Sequence, residues 1–230
     1  MLEPILGYRF LRFFQALAKG LAASYIIIYQ IEVGRFGPLQ LVTLGAVFHL
    51  SILLFEVPTG ALADAKSRKA SIALGLGIIG VCFLGMGFTH DYQVYLVISV
   101  LWGIGETFIS GAREAWVTDE IPSSSQSDLN PGSLFIQGSQ AEFAGGILGI
   151  IASGVLVVRG LALPLTAAGV IYILTMALAL RLPERGFTPS MAWQDILRES
   201  VHSLKEGWRG VWSAGMAILI LCITLFQGMS

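Results

Sequence analysis

Charge is scarce in this chain. Only 13% of the 230 residues are Asp, Glu, Lys or Arg, against about 25% in an ordinary soluble domain. The 14 cations and 15 acids leave a formal net charge of −1, so nothing points to a nucleic-acid partner. Cysteine is nearly absent as well. Cys82 and Cys222 each sit inside an apolar run, which argues against a disulfide framework, and no metal-ligand spacing occurs. The H-E-x-x-H, G-x-S-x-G and phosphate-loop patterns are missing, so the reading is not an enzyme and no cofactor is expected.

What fills the space is hydrocarbon. The chain is 55% hydrophobic, its mean hydropathy is +0.75, and it holds 27 glycines. That combination describes a membrane protein with closely packed helices. A bilayer core of about 30 Å takes roughly 20 helical residues. Six segments reach that length: 11–32, 38–62, 70–89, 92–118, 136–158 and 160–181. A seventh begins near Ala214 and is still apolar at Ser230. Arg9 and Arg12 precede the first run as they would in a signal peptide. That run is long and lacks an A-x-A site, so it reads as a retained span.

Short polar turns separate the runs. Gly34, Gly37 and Pro38 break the chain after the first, His90–Gln93 after the third, and residues 122–133 form a longer loop after the fourth. Arg159-Gly160 is a minimal hairpin. Residues 182–213 form the longest polar segment. Trp193, Ile196, Leu197, Val201 and Leu204 recur there at helical spacing, as in an amphipathic helix on a membrane surface or in a plain linker. The expected organisation is a six-span domain over 1–182, a cytoplasmic linker over 183–213 and an incomplete seventh span over 214–230.

Lys and Arg set the orientation. With the N-terminus inside, Arg9, Arg12, Lys66, Arg68, Lys69, Arg181, Arg185, Arg198, Lys205 and Arg209 are internal, against Arg35 and Arg159 outside. The expected location is the inner (plasma) membrane, N-terminus cytoplasmic.

Residues 60–69, GALADAKSRK, join the second and third spans on the internal side. This decade resembles the signature loop of the major facilitator superfamily, roughly G-x-L-a-D-r-x-G-r-k. Gly60, Leu62, Asp64, Arg68 and Lys69 match, while Ser67 stands at the usual Gly and Ala65 at a frequent Arg. FEVPTG (55–60), GIGETFISGAREAWVTDE (103–120) and LPE (182–184) are similar to segments of bacterial exporters of that superfamily. The fifth span is rich in Gly but lacks the Gly-Pro found in many antiporters. The resemblance implies an all-α, six-helix N-terminal bundle of two inverted three-helix repeats, followed by the linker and the start of a seventh helix. It implies a secondary transporter of a small molecule, with proton-coupled efflux by alternating access, here as an N-terminal half or fragment. Its partners are the bilayer, the substrate, protons and a second six-helix half. The alternative is a receptor or assembly subunit that uses the same fold without transport.

Two residue sets follow. Gly60 is expected to let the second and third helices approach closely. Asp64 is expected beside the next helix's positive N-terminus, and Arg68 to face Asp119 (next Glu120). By the resemblance, Gly60, Asp64, Arg68 and Asp119 form a conformational latch. The plainer reading is that Lys66, Arg68 and Lys69 only enforce topology. Ionisable groups inside spans are costly and usually face the bundle interior. Lys19, Glu106, Arg113 and Glu142 are the candidates for the cavity and for proton coupling, with Lys19 paired to an acid. Glu56, Glu114 and His49 also lie in spans. A static ion pair between helices is the competing role for each.

Overall fold

In the computed structural model the described residues are 3–120 and 131–187, all within one compact unit, Met1–Ser190. The amphipathic linker helix and the seventh span expected within 188–230 lie outside the described residues, as does most of the 122–133 loop. Seven helices account for the described chain: α1 (Pro4–Ala23), α2 (Ile26–Glu32), α3 (Pro38–Lys66), α4 (Arg68–Phe88), α5 (Tyr92–Glu120), α6 (Pro131–Val157) and α7 (Leu163–Ala179). No strand occurs among the described residues. The protein is an all-α, multi-pass membrane bundle.

Local chemistry explains the boundaries. Pro4 and Pro38 sit at the first helical position, where a missing N–H costs nothing. The first span is two helices, because the chain turns at Ser24–Tyr25. There the Ser24 hydroxyl donates back to the Gly20 carbonyl at 2.7 Å, a bond that bends helices. The two pieces still read as one apolar run, Pro4–Glu32. The second span does not end at 62 as its hydropathy suggests. α3 passes through Pro58 and runs on to Lys66, so the acid-and-base decade is two helix ends joined at one residue. Ser67 is that residue: its backbone is extended (φ −175°, ψ 120°), and its hydroxyl accepts from the Ala70 amide at 3.0 Å as an N-cap. Asp91 caps α5 in the same way, accepting from Gln93 N at 2.7 Å and Val94 N at 3.2 Å. α7 has only 17 residues, fewer than the expected 160–181, because the turn after α6 takes up residues to Ala162.

The helices pack as a row in the order α6, α1, α7, α4, α5, α3, which folds back so that α1 also meets α5. α4 is the most enclosed, with 61% of its apolar window buried against 11% for α3 and 17% for α6. The two ends of the row show their apolar side chains. Leu39, Val42 and Leu53 of α3 and Phe143, Ile151 and Val155 of α6 are each at least 60% exposed. In water that surface would drive aggregation, whereas beside lipid or another helix bundle it is at home.

Glycine determines how closely the row packs. A Cβ on Gly75 would sit 2.6 Å from the Gly105 carbonyl oxygen, and one on Gly169 would sit 2.8 Å from that of Gly80. These contacts seat α4 directly on the backbones of α5 and α7. At the Arg35 end, aromatic side chains close the bundle. Phe36 packs edge-on against Tyr92 and Tyr95, with centroids 5.5 and 5.0 Å apart. Tyr29 and Tyr95 donate to the Gly87 and Met86 carbonyls. Both tyrosines are buried.

Candidate functional site

Two charged clusters stand out. The first surrounds Ser67. Arg68 Nε donates to Asp64 Oδ1 at 3.1 Å, and its Nη1 reaches both the Ala115 carbonyl, at 3.0 Å, and the Asp119 carboxylate. The guanidinium also lies over the Phe187 ring, 5.9 Å from the centroid. One side chain therefore ties the end of α3, the end of α5 and the segment after α7. A planar fork suits that task better than an ammonium.

That segment, Leu182–Phe187, is held by two acids. Glu184 accepts from the Ser67 hydroxyl at 2.7 Å and from the Lys69 amide at 3.0 Å. Glu120, only 1% exposed, accepts from the Arg185 and Gly186 amides at 2.5 and 2.8 Å. The Trp116 indole N–H donates to the Pro183 carbonyl at 2.8 Å. Two expectations change here. Asp64 is not the carboxylate at the N-terminus of α4: because α3 continues to Lys66, Asp64 belongs to its last turns, and Glu184 fills the place at the positive helix end. Gly60 makes no close helix approach either, since a Cβ there would meet nothing within 4 Å.

The second cluster lies within the spans. Glu114 Oε1 accepts from Arg12 Nη1 at 3.1 Å and from Arg113 Nε and Nη2 at 3.1 and 2.9 Å. Arg12 also pairs with Glu142, and Arg113 donates to Gln15 Oε1. Two cations and two carboxylates from α1, α5 and α6 thus form one neutral network. The arginine side chains are 14% and 13% exposed, Glu114 36% and Glu142 48%. Arg12 Nε and Glu114 Oε2 are buried without a hydrogen-bond partner. Mutual pairing makes such charges tolerable inside a membrane.

Of the four expected cavity residues, Arg113 and Glu142 belong to this network. Glu106 and Lys19 do not. Glu106 accepts from the Trp102 indole N–H at 3.2 Å. Lys19 is exposed and makes no ion pair among the described residues, contrary to the expected pairing with an acid; Glu142, which lines the same groove, is paired with Arg12 of the same helix. Arg12, counted above among the internal cations, lies in the first apolar run, Pro4–Glu32, and turns into this network. Glu56 and His49 are exposed on α3, and His49 Nδ1 lies 2.9 Å from the Gly45 carbonyl oxygen. Glu114 was among the ionisable groups noted in spans, whereas hydropathy did not single out Arg12, Gln15 or Glu184 for these sites. The spacing of Tyr8, Arg12, Gln15 and Lys19 at three- and four-residue steps was the available signal for the polar face of α1.

An all-α membrane bundle with a charged turn between two spans and ion pairs inside them agrees with the resemblance carried by the sequence. The chain is 25% identical over 215 residues to the uncharacterized MFS-type transporter YxaM of Bacillus subtilis (strain 168). The match covers 92% of this chain and 52% of that protein, so the chain spans about half the length of the curated relative it matches. No family model matches the chain. The likeness to YxaM agrees with the resemblance carried by residues 60–69.

Proposed function

We propose that the bundle is the N-terminal half of a secondary transporter that exports a small molecule in exchange for protons by alternating access. The observation that carries the reading is the Arg12–Glu114–Arg113–Glu142 network, because ionised groups kept inside spans mark substrate and ion pathways. The length of the relative and the exposed apolar faces of α3 and α6 support a second half docked against those faces. Transporters of this design place their sites at the boundary between two such halves.

In this reading Glu142 is the coupling carboxylate. It is half exposed while Glu114 is held by two arginines. Protonation of Glu142 leaves Arg12 paired with Glu114 alone, and deprotonation restores the bridge between α1 and α6. The Asp64–Arg68–Asp119 cluster acts as the latch at the cytoplasmic end, closed in the arrangement described here and opened when the halves rock. The protein lies in the inner membrane with Ser67 facing the cytoplasm.

The test uses inverted vesicles from cells producing the protein from its own gene, with an internal pH dye and a panel of amphipathic fluorescent compounds. At least one compound is expected to discharge an imposed pH gradient in the parent and not in Glu142→Gln. Compound flux that is indifferent to the gradient overturns the coupling. Flux from the 230 residues alone, with half a cavity, overturns the half-transporter reading.

A further inference from the structure

The groove between α1 and α6 has two flanks with different chemistry. One, of about 430 Å³, is lined by Phe10, Phe13 and Phe14. The other, of about 450 Å³, runs from Glu142 outward along Ala16, Lys19, Phe143, Ile147 and Ile150. This second volume is within the ordinary range for small-molecule sites. Its walls are aliphatic and aromatic, with two charged groups on its lining. Glu142 is already matched by Arg12, which leaves the Lys19 ammonium as the uncompensated charge. Lys19 lies seven residues beyond Arg12, two turns along the same face of α1. An exposed lysine within a span, with no acid in ion-pair range among the described residues, is costly unless a counter-ion arrives.

We infer that this flank is a binding site for an amphipathic organic monoanion, with its carboxylate or sulfonate on the Lys19 ammonium and its apolar body against Phe143, Ile147 and Ile150. The inference deepens the transporter reading, since it names the substrate class, and it rests on that reading only for the claim that the ligand is carried. The occupant follows from charge complementarity and from the apolar walls. An inorganic anion gains nothing from those walls, and an organic cation meets the unpaired ammonium.

The experiment measures equilibrium binding to the full chain in lipid nanodiscs. The probes are 2-naphthoate, its neutral amide and 2-naphthylmethylammonium. The anion is expected to bind about 10-fold or more tighter than either companion, as a charge-assisted contact warrants. Lys19→Met should remove that preference, and Lys19→Arg should retain most of it. Gly146→Leu supplies a second arm: Gly146 lines the groove, and a Cβ there meets nothing within 4 Å. A longer side chain should therefore occlude the site, and naphthoate binding should be lost. Naphthoate binding unchanged in Lys19→Met or in Gly146→Leu overturns the inference, as does tighter binding of the ammonium probe. Binding needs no gradient. Lys19-dependent binding without proton-linked flux strikes only the coupling, and flux without Lys19-dependent binding strikes only the anion site.

Discussion

Gly145 and Gly146 are neighbours in α6, and adding one methyl group to each should have opposite effects. A Cβ on Gly145 lands on the Phe13 carbonyl, with the carbonyl carbon at 3.0 Å and the Leu17 amide nitrogen at 3.2 Å. A Cβ on Gly146 meets nothing within 4 Å. The obstacle at Gly145 is backbone, so no rotamer change relieves it and α1 must move off α6. Overpacking of this kind costs about 1–3 kcal/mol. Against it stands the helix preference of Ala over Gly, up to about 1 kcal/mol. Gly145→Ala should therefore destabilise the bundle by about 1–2 kcal/mol, and Gly146→Ala should be neutral or stabilising by up to about 1 kcal/mol. A separation of about 2 kcal/mol is roughly 30-fold in the folding equilibrium. Cys82 is only 3% exposed, so a thiol-reactive dye in a Cys222→Ala background reports unfolding in detergent as temperature rises. Phe13→Ala should not rescue Gly145→Ala, because the carbonyl in the way stays in place. Equal melting of the two alanine variants, or the reverse order, would refute the proposed backbone-on-backbone seating of α1 on α6.

Three further outcomes are expected. Arg12→Met should cost about 2–3 kcal/mol, less than a fully buried pair because Glu142 is 48% exposed. Adding Glu142→Gln should recover part of the loss, and additive effects in the same melting assay would deny the coupling. Arg68→Ala should cost about 1–3 kcal/mol, and Arg68→Lys should not restore it, because one ammonium does not span Asp64, Asp119 and the Ala115 carbonyl; full recovery by Lys would contradict a fork-shaped tie. A cysteine at Lys66 should react with an impermeant maleimide only in inverted vesicles, and one at Arg159 only in intact cells. The opposite labelling would reverse the orientation proposed from the cation distribution.

Much of the architecture was legible beforehand. The runs around 38–62, 70–89 and 92–118 appear as α3, α4 and α5, and the charged decade joins two spans by a tight turn. The pairing of Arg68 with Asp119 was also anticipated, because two helix ends emerging at one side leave few acids within reach. The helix ends were less legible. Hydropathy falls at Asp64, yet the backbone stays helical to Lys66, since a charged side chain beyond the apolar stretch does not break hydrogen bonds within the helix. Lys19 and Arg12 show a harder limit. Both are cations on the same face of α1, and nothing along the chain told which of them would reach Glu142.

Length and hydrophobicity of a run are local properties that add up residue by residue, so the chain alone specified the spans, the turns between them and the bias of Lys and Arg toward one side. Which charge meets which depends on the rotation of each helix about its axis and on its neighbours in the row. In spans that are apolar nearly all round, no amphipathic stripe marks the buried face. The bond from Glu184 to the Lys69 amide, across 115 residues, and the meeting of Arg12 with Glu114, across 102, exist only once the glycine contacts have set how closely and at what rotation the helices pack.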